Sequence, residues 1–200
     1  MCQDFLNEAS FYTFLSLIDQ KIATEVQAGG CPHCGGKLHS ARYPRKPRGL
    51  RGQLDDSYST RLSFCCAEDD CRRWTTPPSV RFLGRKVYVG VVIILITALE
   101  HGLSPRRRKQ LIETLDIWPQ TIARWKSWWR TVFSESRCWQ AIRGYLVPPV
   151  NTYQLPGAWL GRLKGEDLRQ RLCHLLRSLS AITTTSWSGS LQVIIDPQKM

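Results

Sequence analysis

Cys31-Pro32-His33-Cys34-Gly35-Gly36 sets two thiols three positions apart, with a proline that stiffens the turn and glycines where the chain must fold back beneath the sulfurs. Two such sulfurs supply half of a tetrahedral metal shell. The other half follows about thirty residues later, in Phe64-Cys65-Cys66-Ala67-Glu68-Asp69-Asp70-Cys71. Paired cysteine turns flanking a loop point to zinc. Cys71 closes the cluster. Cys66 is the preferred third ligand, since a four-residue gap to Cys71 fits the spacings of zinc sites, and Cys65 is the reserve. Neighbouring side chains on an extended strand face opposite ways, so Cys65 and Cys66 cannot both reach one ion. His33 and His39 are alternative ligands for which a four-thiolate shell has no place. The set Cys31, Cys34, Cys66 and Cys71 would hold one structural Zn2+ with no open position for water or substrate, which argues against metal catalysis. The ion would hold together a region too poor in apolar residues to fold alone. Cys2, Cys138 and Cys173 are scattered and read as ordinary core or surface thiols.

A second set of residues lies further along, in Leu115-Asp116-Ile117-Trp118-Pro119-Gln120-Thr121-Ile122-Ala123-Arg124-Trp125. On a helical wheel Ile122, Trp125, Trp129, Val132 and Phe133 share one face, which must pack inward. The opposite face carries Gln120, Thr121, Arg124, Ser127, Trp128 and Thr131, side chains able to hydrogen-bond base edges or phosphates. Trp125 and Trp129 read as core, whereas Trp128 falls on the polar side, against sugar, base or a neighbouring segment. Upstream, Arg106, Arg107, Arg108 and Lys109 crowd a helix start, where cations oppose the macrodipole and an outside anion would relieve the conflict.

These residues require particular elements to position them. An amphipathic helix is predicted over 5–28 on Phe11, Phe14, Leu15, Ile18, Ile22 and Val26, ending at Gly29-Gly30. From 31 to 85 the chain breaks into short segments around an extended basic loop at 42–51, a small irregular zinc module. Helices are then predicted over 86–101, from Ser104-Pro105 to Leu115, and from Pro119 through Phe133. Pro148-Pro149 and Pro156-Gly157 suggest a linker, and 166–181 a helix on Leu168, Leu172, Leu175, Leu176 and Leu179. The last fifteen residues are ambiguous between tail and edge strand. The expected division is 1–30, an N-terminal helix; 31–85, a zinc ribbon with basic loop; 86–135, a helix-turn-helix; and 136–200, a C-terminal helical segment and tail. The fold class is mainly α with a small β zinc ribbon and a three-helix helix-turn-helix module plus flanking helices.

Composition agrees with a folded chain: 200 residues, 42% hydrophobic and 22% charged, exclude a large multidomain enzyme and wholesale disorder. The net charge of +12 is uneven. Residues 1–36 balance at −3, whereas 37–130 hold nineteen Lys or Arg against eight acids. A surface so basic suits a polyanion, because each cation that neutralises a phosphate releases a counterion. Arg45, Lys46, Arg48, Arg51, Arg72, Arg73, Arg81, Arg85 and Lys86 are the candidates to lie along phosphates. The N-terminus lacks a secretory leader, and the apolar run from Val87 to Leu99 is short of a membrane span. A cytoplasmic location is expected, where clustered cysteines favour metal over disulfides.

The Cys-Pro-x-Cys-Gly turn, the second turn entered by Phe64 and left through Arg72-Arg73-Trp74-Thr75-Thr76-Pro77-Pro78, and the helices ending in Thr121-Ile122-Ala123-Arg124-Trp125 together resemble the zinc-ribbon and helix-turn-helix modules of bacterial insertion-sequence proteins. The resemblance covers about residues 31–133. It implies binding of double-stranded DNA at or near element ends, through the four cysteines and the recognition-helix face. Two departures stand out: Cys66 and Cys71 lie further apart than the family's usual two-residue gap, and Trp118 takes the place of a small capping residue. After residue 133 only Glu135, Glu166, Asp167 and Asp196 are acidic, too few for a three-carboxylate transposase. The expected role is therefore non-catalytic, a DNA-binding accessory beside a separately encoded transposase. A transcriptional regulator is the alternative, and a strand-cleaving enzyme or a protein-docking scaffold follows behind.

Overall fold

The computed structural model describes residues 9–45, 56–83, 104–106, 109, 112–113 and 117–184. These form a mainly helical protein with a small antiparallel sheet. Helix α1 (Ala9–Ala28) turns Phe11, Tyr12, Leu15, Asp19, Ala23 and Val26 inward, a stripe at helical spacing. Phe14, expected on that stripe, is instead 45% exposed, because the buried stripe runs through Leu15, Asp19 and Val26, about 100–140° round the helix from it. Gly30 ends the helix at φ 74°, and a Cβ there would stand 2.8 Å from the Gly35 carbonyl, so only glycine fits.

Strands β1 (Leu38–Ser40), β2 (Tyr43–Pro44), β3 (Thr60–Arg61), β4 (Phe64–Cys66) and β5 (Trp74–Thr75) follow, with a one-turn helix α2 (Asp56–Ser59) before β3. They pair as a three-stranded sheet, β1-β4-β5, and a two-stranded one, β2-β3, all antiparallel. The register sets Leu38 opposite Cys66, and His39 opposite Cys65, which in turn faces Trp74. Alternation along the strands puts the first pair on the buried face and the His39, Cys65, Trp74 row on the outer one.

The helical half contains α3 (Pro119–Trp128), which continues as a π-helical turn (Trp129–Phe133), then α4 (Arg137–Arg143), a 3-10 turn (Thr152–Gln154), the short α5 (Gly157–Leu160) and α6 (Leu168–Ser180). Ser136 caps α4 by accepting from the Trp139 amide, and Asp167 caps α6 by accepting from the Gln170 amide. Ile122, Trp125, Trp129 and Phe133 are buried as expected, but Val132 is 59% exposed. The wider π turn delays the register by one position, which carries Phe133 rather than Val132 onto the inward face.

Among the described residues the core forms two clusters. The larger joins Phe11, Tyr12 and Leu15 of α1 to the rings of Trp129, Phe133, Trp139 and Trp159 and to the leucines of α6. The smaller gathers Ala23, Val26, Cys31, Leu38, Phe64 and Cys66. α1 thus serves both. The stretch around Pro148 and Pro156 is not a linker: Leu146, Leu155, Trp159, Leu160 and Leu163 are buried, and the Phe133 and Trp159 rings stack at 5.7 Å. Leu155, Trp159 and Leu163 stand four residues apart, but Pro156, Gly157 and Gly161 break the run so that only Gly157–Leu160 is helical, and this masks the spacing in the sequence.

Between the clusters, Asp19 is 2% exposed and accepts hydrogen bonds from Ser79 Oγ (2.6 Å), the Val80 amide (2.7 Å) and Arg81 Nε (2.8 Å). The remaining Arg81 donors reach the carbonyls of Tyr58 (2.9 Å) and Thr60 (3.1 Å). Arg81 is therefore fully buried and removed from any phosphate-contacting surface, contrary to the sequence expectation. Its donors are spent inside, which is how a guanidinium can be buried at all. No helix among the described residues is long and apolar enough to cross a membrane. The predicted segment 86–101, the loop residues 46–51 and the last sixteen residues lie outside the described ones.

Candidate functional site

Cys31 and Cys34 come from the turn after α1, Cys66 from the end of β4, and Cys71 from the turn that leads to β5. Their Sγ atoms all lie within 4.8 Å of one another, with Cys31 to Cys71 at 3.7 Å and Cys34 to Cys66 at 3.4 Å. Four thiolates about 2.3 Å from a tetrahedral ion stand about 3.8 Å apart, so the cluster is positioned to bind a metal ion. The two turns are built alike. In the first, the Gly35 amide donates to the Cys31 carbonyl and the Cys31 amide to the Gly36 carbonyl, both at 2.8 Å. In the second, the Cys71 and Arg72 amides both donate to the Glu68 carbonyl at 3.0 Å. Each turn places the residue after its last cysteine at positive φ: Gly35 at 75° and Arg72 at 43°. Glycine signals the first in the sequence, whereas an arginine conceals the second.

Cys65 is not part of the cluster. Its Sγ contacts the Arg72 carbonyl at 3.5 Å on the outer face, the side opposite Cys66. His33 points away, with Nδ1 3.1 Å from Arg73 Nη1, and His39 is exposed on β1. The amide of His33 lowers the Cys31 thiol to about 7, while burial pushes Cys66 up to about 12. A metal that takes both as thiolates must displace the Cys66 proton at any neutral pH.

The polar face of α3 and its π turn is laid out as the periodicity requires. Gln120, Arg124, Ser127 and Thr131 are exposed and Thr121 half-exposed, opposite buried Ile122, Trp125 and Trp129. Trp128 is half-buried and packs its ring against Trp129 (4.9 Å) and Phe133 (5.4 Å), so it belongs mainly to the aromatic cluster rather than to an open face. Pro119 opens α3, and Trp118, 72% exposed, precedes it without a side-chain cap. Of the helix expected at 105–115, residues 105, 106, 109, 112 and 113 are described and helical. The Ile117 amide donates to the Ile112 carbonyl.

The cationic candidates divide into three groups. Arg106 is exposed and Lys109 lies 3.9 Å from Glu113, one helical turn on. Arg73 is exposed beside His33, and Arg72 pairs with Asp69 on the surface. Arg45 is half-buried over the Tyr43 ring at 4.9 Å. Lys46, Arg48, Arg51, Arg85, Lys86, Arg107 and Arg108 lie outside the described residues. Sequence reasoning missed Asp19 and Ser79. An acid at the fourth position after Leu15, on an otherwise apolar stripe, was the available signal for a buried partner.

No family model, no curated protein and no solved structure matches this chain.

Proposed function

We propose that this protein is a zinc-stabilised, sequence-reading DNA-binding protein: a zinc ribbon and a helix-turn-helix in one chain, acting as a non-catalytic accessory of a bacterial mobile element beside a separately encoded transposase. The observation that carries the reading is the solvent-facing row of Gln120, Arg124, Ser127 and Thr131 along α3 and the π turn that continues it. Those side-chain types pair with base edges in a major groove, and the buried aromatic face behind them holds the helix rigid. The charge around the row supports it. Residues 117–164 carry seven Lys or Arg and a single acid, Glu135. The four-cysteine cluster supports a structural zinc, since thiolates select a soft ion and leave it no catalytic vacancy. In this reading Arg124 contacts a base edge while Arg72, Arg73, Arg106 and Lys109 meet phosphates.

Selection from a random pool of duplexes by the zinc-loaded protein tests the proposal. A recurrent sequence motif among the retained duplexes is the expected result. Retention of no duplex at low salt would overturn it.

A further inference from the structure

Arg130 sits in the π turn that continues α3, exposed, with its guanidinium carbon 5.8 Å from the centre of the Tyr153 ring. Tyr153 is itself held in place: it lies on the 3-10 turn Thr152–Gln154, and its amide donates to Asn151 Oδ1 at 2.9 Å. The residue is nevertheless 68% exposed. Arg130 has no carboxylate partner among the described residues. A guanidinium resting on an aromatic face keeps its N–H donors at the plane's edge, directed outward and pre-set for a planar, two-point oxyanion. An arginine whose role was only to tie the turn to its neighbour would be expected to spend donors on a carbonyl or carboxylate, as Arg81 does. Among the described residues this one spends none.

We propose that Arg130, positioned by Tyr153, grips a phosphate of the nucleic-acid backbone beside α3, and this inference rests on the DNA-binding reading above. Its place on the helix decides what it touches. Gln120, Arg124, Ser127 and Thr131 follow one another at three- and four-residue steps and form one row. Arg130 lies beside that row, flanking it on the side where Tyr153 stands. A helix lying in a major groove has base edges in front of it and the sugar-phosphate strands along its flanks. The flanking arginine therefore meets backbone, and its contribution is the same for every sequence. The short run of chain from Asn151 to Gln154 thereby becomes part of the binding surface, although nothing in its composition marks it as basic.

The test uses the full-length, zinc-loaded protein, with binding to a selected duplex and to a scrambled duplex measured across a salt series. Arg130→Ala is expected to weaken both duplexes by the same factor and to reduce the slope of log affinity against log salt by about one. Tyr153→Ala is expected to weaken both duplexes while the slope stays near that of the unchanged protein, because the charge remains but is no longer held. Tyr153→Phe, which keeps the ring, restores affinity. An Arg130→Ala protein with unaltered affinity and slope would overturn the phosphate contact, as would a loss confined to the selected duplex. If the unchanged protein binds neither duplex, the DNA-binding reading itself falls, an outcome distinct from binding that ignores Arg130.

Discussion

Cysteine placement shows how far a single residue's role follows from its neighbours. Period-two alternation along β4 is enough to choose Cys66 over Cys65, and the structure puts their sulfurs on opposite faces of the sheet. The same reasoning does not find Arg72, whose positive φ closes the second turn, because nothing about an arginine announces a left-handed backbone. Cys34→Ser should lose the bound metal, whereas Cys65→Ser should retain one ion per chain; elemental analysis of both purified variants reads the difference. A full complement in Cys34→Ser would refute the ligand set. Burial holds the Cys66 thiol up near 12, so protons compete with the metal. Affinity should accordingly fall with falling pH, by about tenfold per unit for each proton displaced.

At the scale of elements, α1 is the piece whose importance was least visible. Its periodicity predicts a helix, and the helix is there, but the helix alone does not say that its first half packs on the aromatic cluster and its second on the cysteine turns. Asp19 sits between those halves and binds a guanidinium 62 residues away, a pairing no local pattern encodes. Removing the carboxylate leaves Arg81 a charge 2% exposed, still bonded to the Tyr58 and Thr60 carbonyls but with no counter-ion. Asp19→Ala should therefore cost about 3–5 kcal/mol of stability, measured by urea unfolding. A loss under about 1 kcal/mol would show the pair to be dispensable. Elsewhere the helical pattern fails for a definite reason: α3 widens into a π turn at Trp129, so Val132 leaves the face that an unbroken α-helix would have given it. The proline-rich stretch from 144 to 165 packs by anchors four residues apart, Leu155, Trp159 and Leu163, whose spacing its prolines and glycines interrupt.

The whole molecule joins a cysteine-clasped sheet to a tryptophan-rich helical half through one shared helix. Its excess of positive charge, +12, lies mostly outside that shared helix's end of the chain. The mainly helical class, the small antiparallel sheet and the four-cysteine cluster could be read from spacing, because each depends on residues near in sequence or on a repeated turn. The joining of the two clusters could not, since it depends on contacts between distant segments. Zinc at the cysteines would stiffen the sheet against α1, where the Gln27 side-chain amide already donates to the Leu38 carbonyl at 3.0 Å. α1 in turn packs on the core that carries α3. The most direct measurement of the central claim is equilibrium binding of a selected duplex by the zinc-loaded protein and by Arg124→Ala at low salt. Tight binding by the unchanged protein and a loss of about 1–3 kcal/mol in Arg124→Ala, absent on a scrambled duplex, is the predicted result. No binding by the unchanged protein, or identical curves for the two proteins on the selected duplex, would contradict it.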